Sequence, residues 1–200
     1  MTTLSVLIAT IPERKGKFRL LLKDLQKQAE GLAVEILVDD RPKGELSIGS
    51  KRQALLERAT GNYICYHDDD DWHSGDYLSR LVEAANKAPD CIGFHVRVVG
   101  MGRSSNGAGS DKLASCSNQW EAWGENVGGF DYVRTIYHKT PVLREYALKI
   151  GFKDMRFAED HDYSLRLKVS GLLRVEEYVP HPLYIYRFKR EPFRRKYGIT

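Results

Sequence analysis

Four consecutive carboxylates, Asp68-Asp69-Asp70-Asp71, stand between His67 and Trp72. Like charges at that spacing raise one another's pKa unless something positive sits among them. A hard divalent cation would answer, and oxygen ligands suit Mg²⁺ or Mn²⁺, which keep waters and take their remaining ligands from substrate phosphates. The plain alternative is a solvated loop or a helix cap. Two features weigh toward chemistry: the run directly follows the apolar stretch Asn62–Tyr66, and Tyr66 and Trp72 fence it on either side. Other phosphate chemistries fit less well. A phosphohydrolase would place a hydroxyl residue soon after its Asp-x-Asp pair, where this chain has Asp71-Trp72. A Walker lysine motif is absent, and Gly100-Met101-Gly102 lacks the third glycine of a dinucleotide fingerprint.

The elements that must position this run are legible as alternating patterns. Leu4–Ala9 and Val34–Val38 read as buried strands, as does Asn62–Tyr66. Phe18, Leu21, Leu22 and Leu25 lie on one helical face, and Ser47 to Ala59 reads as a helix with Ser47 as its cap and Gly61 closing it. Leu78, Leu81, Val82 and Ala85 mark a further helix before a strand at Ile92–Val99. This β-α-β-α-β-α-β order predicts an α/β fold, a mostly parallel sheet with helices on both faces. Ligands of such sheets bind beyond the carboxyl ends of the strands, so Thr10, Asp39-Asp40 and Asp68–Asp71 should converge on one edge. Gly100 to Gly109 reads as a loop, and Lys112–Gly129, with Trp120 and Trp123, as an irregular excursion on the acceptor side. The chain then returns through a strand at Asp131–Tyr137, a helix with Leu143, Tyr146, Ala147 and Ile150 on one face, and another helix from near Asp160.

Composition sets outer limits. With 42% hydrophobic and 29% charged residues, 200 residues suffice for one domain with a core. Leu4–Ala9 is too short for a signal-peptide core, and no apolar stretch reaches transmembrane length. Three cysteines, odd in number and without metal-ligand spacing, fit a reducing cytoplasm. The net charge of +4 is a property of the tail: Arg187 to Lys196 carries a local +5, leaving −1 for the remainder.

Four blocks of this sequence together resemble the inverting family 2 glycosyltransferases of the GT-A fold. They are Leu4–Pro12; Glu35–Asp40; Gly49-Ser50-Lys51-Arg52-Gln53 with Ala59–Tyr63 and His67–Trp72; and Phe157-Ala158-Glu159-Asp160-His161-Asp162. The resemblance, strongest to compact phage or bacterial members, implies a single Rossmann-like GT-A domain over residues 1–186 and a basic aromatic tail over 187–200. It implies a nucleotide-diphosphate sugar donor, a Mn²⁺ or Mg²⁺ cofactor, and a hexosyl- or pentosyltransferase activity. On the donor it places Thr10, Pro12, Arg14, Lys51, Arg52, Asp68 and Asp69, with Asp39 and Asp40 competing to read the base. Asp70 and Asp68 would hold the metal, and His181 could approach it, because Phe188-Lys189 stand where the family often shows a His after its Tyr-Arg.

Asp160 would be the base that deprotonates the acceptor hydroxyl, with Glu159 beside it; a plain helix cap is the alternative for both. Trp120, Trp123, Arg187, Lys189 and Arg190 are candidates for the acceptor. The basic, aromatic tail suits a phosphate backbone or an anionic surface. The resemblance to compact phage members implies a hydroxymethylated base in phage DNA as acceptor, against a bacterial surface polysaccharide or lipid-linked glycan. A catalytically silent nucleic-acid-binding module on the same scaffold is the reading from another class.

Overall fold

Strand β1 (Leu4–Ala9) is buried on both faces, as a parallel strand covered by helices must be. It pairs in parallel with β2 (Val34–Asp39) on one side and β3 (Tyr63–Tyr66) on the other. The period-2 alternation of β1 feeds two cores. Leu4, Val6 and Ile8 pack with Phe18, Leu21 and Leu25 of α1 (Lys15–Ala29), and Leu7 packs with Leu55 and Leu56 of α2 (Ile48–Arg58). Each such side chain contributes roughly 1.5–3 kcal/mol when fully buried. The helix starts follow local chemistry: a 3-10 turn, Pro12–Arg14, leads into α1, and the Ser47 hydroxyl caps α2 by accepting from the Ser50 N–H at 3.0 Å.

The computed structural model describes residues 3–100, 111–121 and 123–187. After β3 come β4 (Trp72–His73), α3 (Tyr77–Ala85), β5 (Cys91–Val99), β6 (Lys112–Cys116), β7 (Gly124–Val127) and β8 (Phe130–Arg134). The chain closes with β9 (Val142–Leu143), α4 (Arg144–Ile150), α5 (Glu159–Val169) and β10 (Glu176–Arg187). One sheet contains every strand among the described residues, in the order β2-β1-β3-β9-β5-β6-β8-β7, with β10 beside β5 and β4 beside β10. Strands β1, β2, β3, β5, β7 and β10 run in one direction, and β4, β6, β8 and β9 run against it.

Three stretches differ from the sequence reading. Lys112–Gly129 is not irregular: β6 pairs antiparallel with β5, and β7 forms a hairpin with β8. Leu143 ends β9 instead of opening the following helix. Glu176–Arg187 is a twelve-residue strand despite Pro180 and Pro182, because its register against β5 shifts on both sides of Pro182, where donors are missing. The Gly100–Gly109 loop lies almost wholly outside the described residues, as does the tail beyond Arg187. Among the described residues no helix is long and apolar enough to cross a membrane.

Candidate active site

The carboxyl ends of β1, β2 and β3 meet at one edge, and the acidic run hangs from β3 with its side chains diverging. Asp69 turns to β1: its carboxylate accepts from Thr10 Oγ1 at 2.7 Å and from Arg14 Nη1 at 2.6 Å. Asp68 turns toward α2 and the loop after β8, accepting from Arg52 at 3.1 Å and pairing with Lys139 at 2.8 Å. Asp71 points inward, where Lys139 lies at 2.6 Å, the Tyr184 hydroxyl donates at 2.9 Å and the Arg187 N–H donates at 2.9 Å. Asp70, partly exposed, lies 3.6 Å from Arg14. The repulsion implied by four adjacent acids is thus largely met by the protein's own cations. Burial works against the Asp68 anion, but Lys139, His138 and Arg52 override it and hold its pKa well below the usual carboxylate range.

The peptide of Asp68 is fixed as well. Its N–H donates to the Tyr184 hydroxyl at 3.1 Å, and its carbonyl oxygen lies 2.9 Å from His67 Nδ1. His67 Nε2 then meets His73 Nδ1 at 3.1 Å, and His73 Nε2 meets the Asp24 carboxylate of α1 at 2.8 Å. Burial pushes His67 down to about 3, so this ring is neutral at physiological pH.

On the β2 side, Asp39 is buried and held by Arg41, with Lys51 at 3.9 Å, whereas Asp40 is exposed. Lys51 is itself buried and donates to the Thr10 carbonyl at 2.8 Å. A cavity of about 430 Å³ opens here, lined by Thr10, Arg14, Lys43, Lys51, Asp69 and Arg156.

A larger cleft of about 780 Å³ lies beside it, over the faces of β5, β6 and β8. Its walls include Trp123, Tyr132, Tyr137, Phe157 and Tyr186, and its floor carries Asp160. Asp160 opens α5, which follows Ala158 in the left-handed region at φ +60°. Burial raises the pKa of Asp160, but His138, Arg134 and Arg52 outweigh it and bring the carboxyl to about 2. Arg134 donates to it at 3.1 Å. Glu159 is buried against Arg52 at 2.8 Å, and burial moves its pKa upward. His138 stands between the two halves, Nε2 3.6 Å from Asp68 and Nδ1 3.7 Å from Asp160. Arg156 lines both cavities.

Two adjoining cavities, one cationic and one aromatic with a carboxylate floor, thus lie at the carboxyl edge of the sheet's parallel strands. The family model described as "Glycosyl transferase family 2" matches residues 16–146. The chain belongs to glycosyl transferase family 2. The matched segment of this family 2 chain includes the acidic run and stops short of Asp160.

Over 94 residues the chain is 33% identical to the succinoglycan biosynthesis protein ExoM of Rhizobium meliloti strain 1021, covering 42% of this chain and 29% of that protein. Its fold is similar to S. aureus TarS residues 1–349 in complex with UDP-GlcNAc, with a TM-score of 0.63 and 14% identity over 94% of this chain and 59% of that one. The complex of the same fragment with UDP gives a TM-score of 0.62 and 15% identity, covering 96% and 62%. The family 2 chain therefore spans less than two thirds of each of these relatives.

The structure gathers Thr10, Arg14, Lys51 and Asp69 on one cavity, and Asp68, Arg52, Glu159 and Asp160 on the other. Asp69 and Asp39, expected on the nucleotide, hold Thr10, Arg14 and Arg41 with their carboxylates. Pro12 is exposed on the turn before α1. Trp120, expected at the acceptor, donates its indole N–H to Ser115 at 2.8 Å, and its ring packs beside Gly128 of the β7–β8 hairpin. His181 lies 3.8 Å from Asp76, at the start of α3. Arg187 ends β10, anchoring Asp71 through its backbone; Lys189 and Arg190 lie outside the described residues.

Residues the sequence did not single out are Arg134, His138, Lys139 and Arg156. Lys139 is 4% exposed in its side chain, and nothing local announces a buried lysine.

For a metal, no group of three or more His, Cys, Asp or Glu side chains is poised among the described residues. A cation held by one or two carboxylates and completed by phosphates and water would not need such a group. Asp70, an oxygen ligand partly exposed beside the cationic cavity, fits such an ion; Asp68 would be shared with Arg52 and Lys139.

Proposed function

We propose that this chain transfers a glycosyl group, with inversion, from a nucleoside-diphosphate sugar to a saccharide hydroxyl. The observation that carries the reading is the junction of the two cavities: Asp160 faces an aromatic cleft directly beside a cationic pocket at the strand ends. The nucleoside diphosphate would lie in the pocket among Thr10, Arg14 and Lys51. The acceptor would lie in the cleft, where Trp123 and Tyr132, with ring centroids 5.4 Å apart and planes tilted by 31°, offer aromatic faces to a pyranose ring. Asp160 takes the proton of the acceptor hydroxyl as that oxygen bonds to the anomeric carbon, and the bond from that carbon to the diphosphate oxygen breaks. Mn²⁺ or Mg²⁺ on Asp70, when bound, would supply positive charge to the departing diphosphate.

A polysaccharide acceptor is supported by the partial similarity to a succinoglycan biosynthesis protein. The DNA-base acceptor rests on the basic tail, which lies outside the described residues apart from Arg187. Incubation with radiolabelled nucleotide sugars and Mn²⁺, offering bacterial oligosaccharides in one arm and hydroxymethylated duplex DNA in another, tests both. Label is expected in the saccharide; label confined to DNA would replace the acceptor, and no turnover of any donor would leave only a silent module. Asp160→Asn is expected to keep donor binding and lose transfer by at least about 100-fold.

A further inference from the structure

We infer that Arg156 is the residue that grips the β-phosphate of the donor, on the side of the pocket where the glycosyl group departs. The inference rests on the donor reading above and adds to it a residue and a phosphate.

Cation commitment is the first argument. Arg14 is spent on Asp69 and Asp70, Lys51 on backbone carbonyls and Asp39, Arg52 on Asp68 and Glu159, and Arg134 on Asp160. Arg156 is exposed and makes no hydrogen bond or ion pair among the described residues. Its nearby acid, Asp154, feels the Arg156 charge but gives its carboxylate to the Ser50 hydroxyl, from which it accepts at 2.8 Å. Lys43 also lines the nucleotide pocket but not the cleft.

Location is the second. Arg156 walls both cavities, and in a nucleoside-diphosphate sugar the β-phosphate is the group that joins the nucleotide part to the transferred sugar. A guanidinium at that junction matches phosphate oxygens with two parallel donors.

The third is that the loop is built to hold it. The Phe152 N–H donates to Gln53 at 2.8 Å, and the Gly49 N–H donates to the Met155 carbonyl at 3.0 Å. Gly49 is required for that approach, since a Cβ there would stand 2.0 Å from the Lys153 carbonyl oxygen. The residues before Arg156 are therefore clamped onto the first turns of α2, next to the pocket.

The test is calorimetric titration of the full chain with UDP, GDP, CDP and ADP, each beside its monophosphate, in Mg²⁺. Wild type should bind one diphosphate more tightly than its monophosphate. Arg156→Ala should weaken that diphosphate by about 10- to 100-fold while leaving the monophosphate and the melting temperature unchanged. Arg156→Lys should recover part of the loss. An unchanged diphosphate-to-monophosphate ratio in Arg156→Ala, or equal loss of both ligands, overturns the assignment and leaves the donor reading intact. Wild type that binds none of the four overturns the donor reading and this inference with it.

Discussion

At the scale of single residues, the site is governed by how its anions are neutralised. Asp160 is kept at about 2 chiefly because positive charge from His138, Arg134 and Arg52 outweighs its burial. In the proposed role of base, Asp160 would be ionised at neutral pH and would become effective only as the acceptor oxygen gains bonding to carbon and its proton turns acidic. Removing Arg134 should raise the Asp160 pKa, so the acid limb of the kcat/KM profile should move upward in Arg134→Gln, toward neutral pH. Superimposable acid limbs in the two proteins would refute this coupling. Lys139 presents the opposite arrangement, one buried cation serving two carboxylates, Asp68 and Asp71. Its replacement by Ala leaves the buried Asp71 without a cation and Asp68 with Arg52, and the expected loss is about 3–5 kcal/mol in urea unfolding. A loss under 1 kcal/mol would mean that Tyr184 and the Arg187 N–H suffice for Asp71.

At the scale of elements, close approaches fix where the strand ends lie. Gly61 precedes β3, and a Cβ there would stand 2.6 Å from Ser5 Oγ and 2.7 Å from the Ser5 nitrogen. The backbone of β1 cannot retreat without leaving both β2 and β3, so Gly61→Ala should destabilise by about 1–3 kcal/mol in denaturant titration. Unaltered stability would show that the β1–β3 contact has slack. The same elements show what a sequence carries. β1 and β3 were legible because strands buried on both faces are continuous apolar runs, β2 because Ile36–Val38 is an apolar run even on a half-buried edge strand, and Thr10, Asp39 and Asp68 were legible because they follow or end these runs. β10 was not, because prolines argue against a strand unless the ladder shifts to spare the missing donors. Lys139 and Asp71 are 68 residues apart in sequence, so no local pattern reveals that pair. Arg134 and Arg156 look like ordinary surface cations until β8 and the loop before α5 bring them to the cleft.

Across the whole molecule, the neutral histidines form a second layer behind the anions and tie distant elements together. His67 links β3 to β4 and through His73 to α1, and His138 links the loop after β8 to α5. Burial pushes His67 to about 3 and His138 to about 4, and it lowers His73 as well, against 6.5 for a free imidazole. These are bases with depressed folded-state pKa values, so the unfolded chain binds their protons first. Their contribution to stability is complete above about pH 6.5 and is lost as pH falls from there toward 4. Asp68 and Asp160 have lowered carboxyl pKa values and act only below that window. By pH 5 each of His67 and His138 should therefore remove about 2 kcal/mol. Together they should lower the melting temperature by roughly 10 °C relative to pH 7.5. Scanning calorimetry across that range checks the sign, and His138→Gln should flatten the slope by about half. A melting temperature that holds constant between pH 7.5 and 5 would mean that the buried imidazoles take up protons in the folded state, and with them that the layer behind the acidic run is charged.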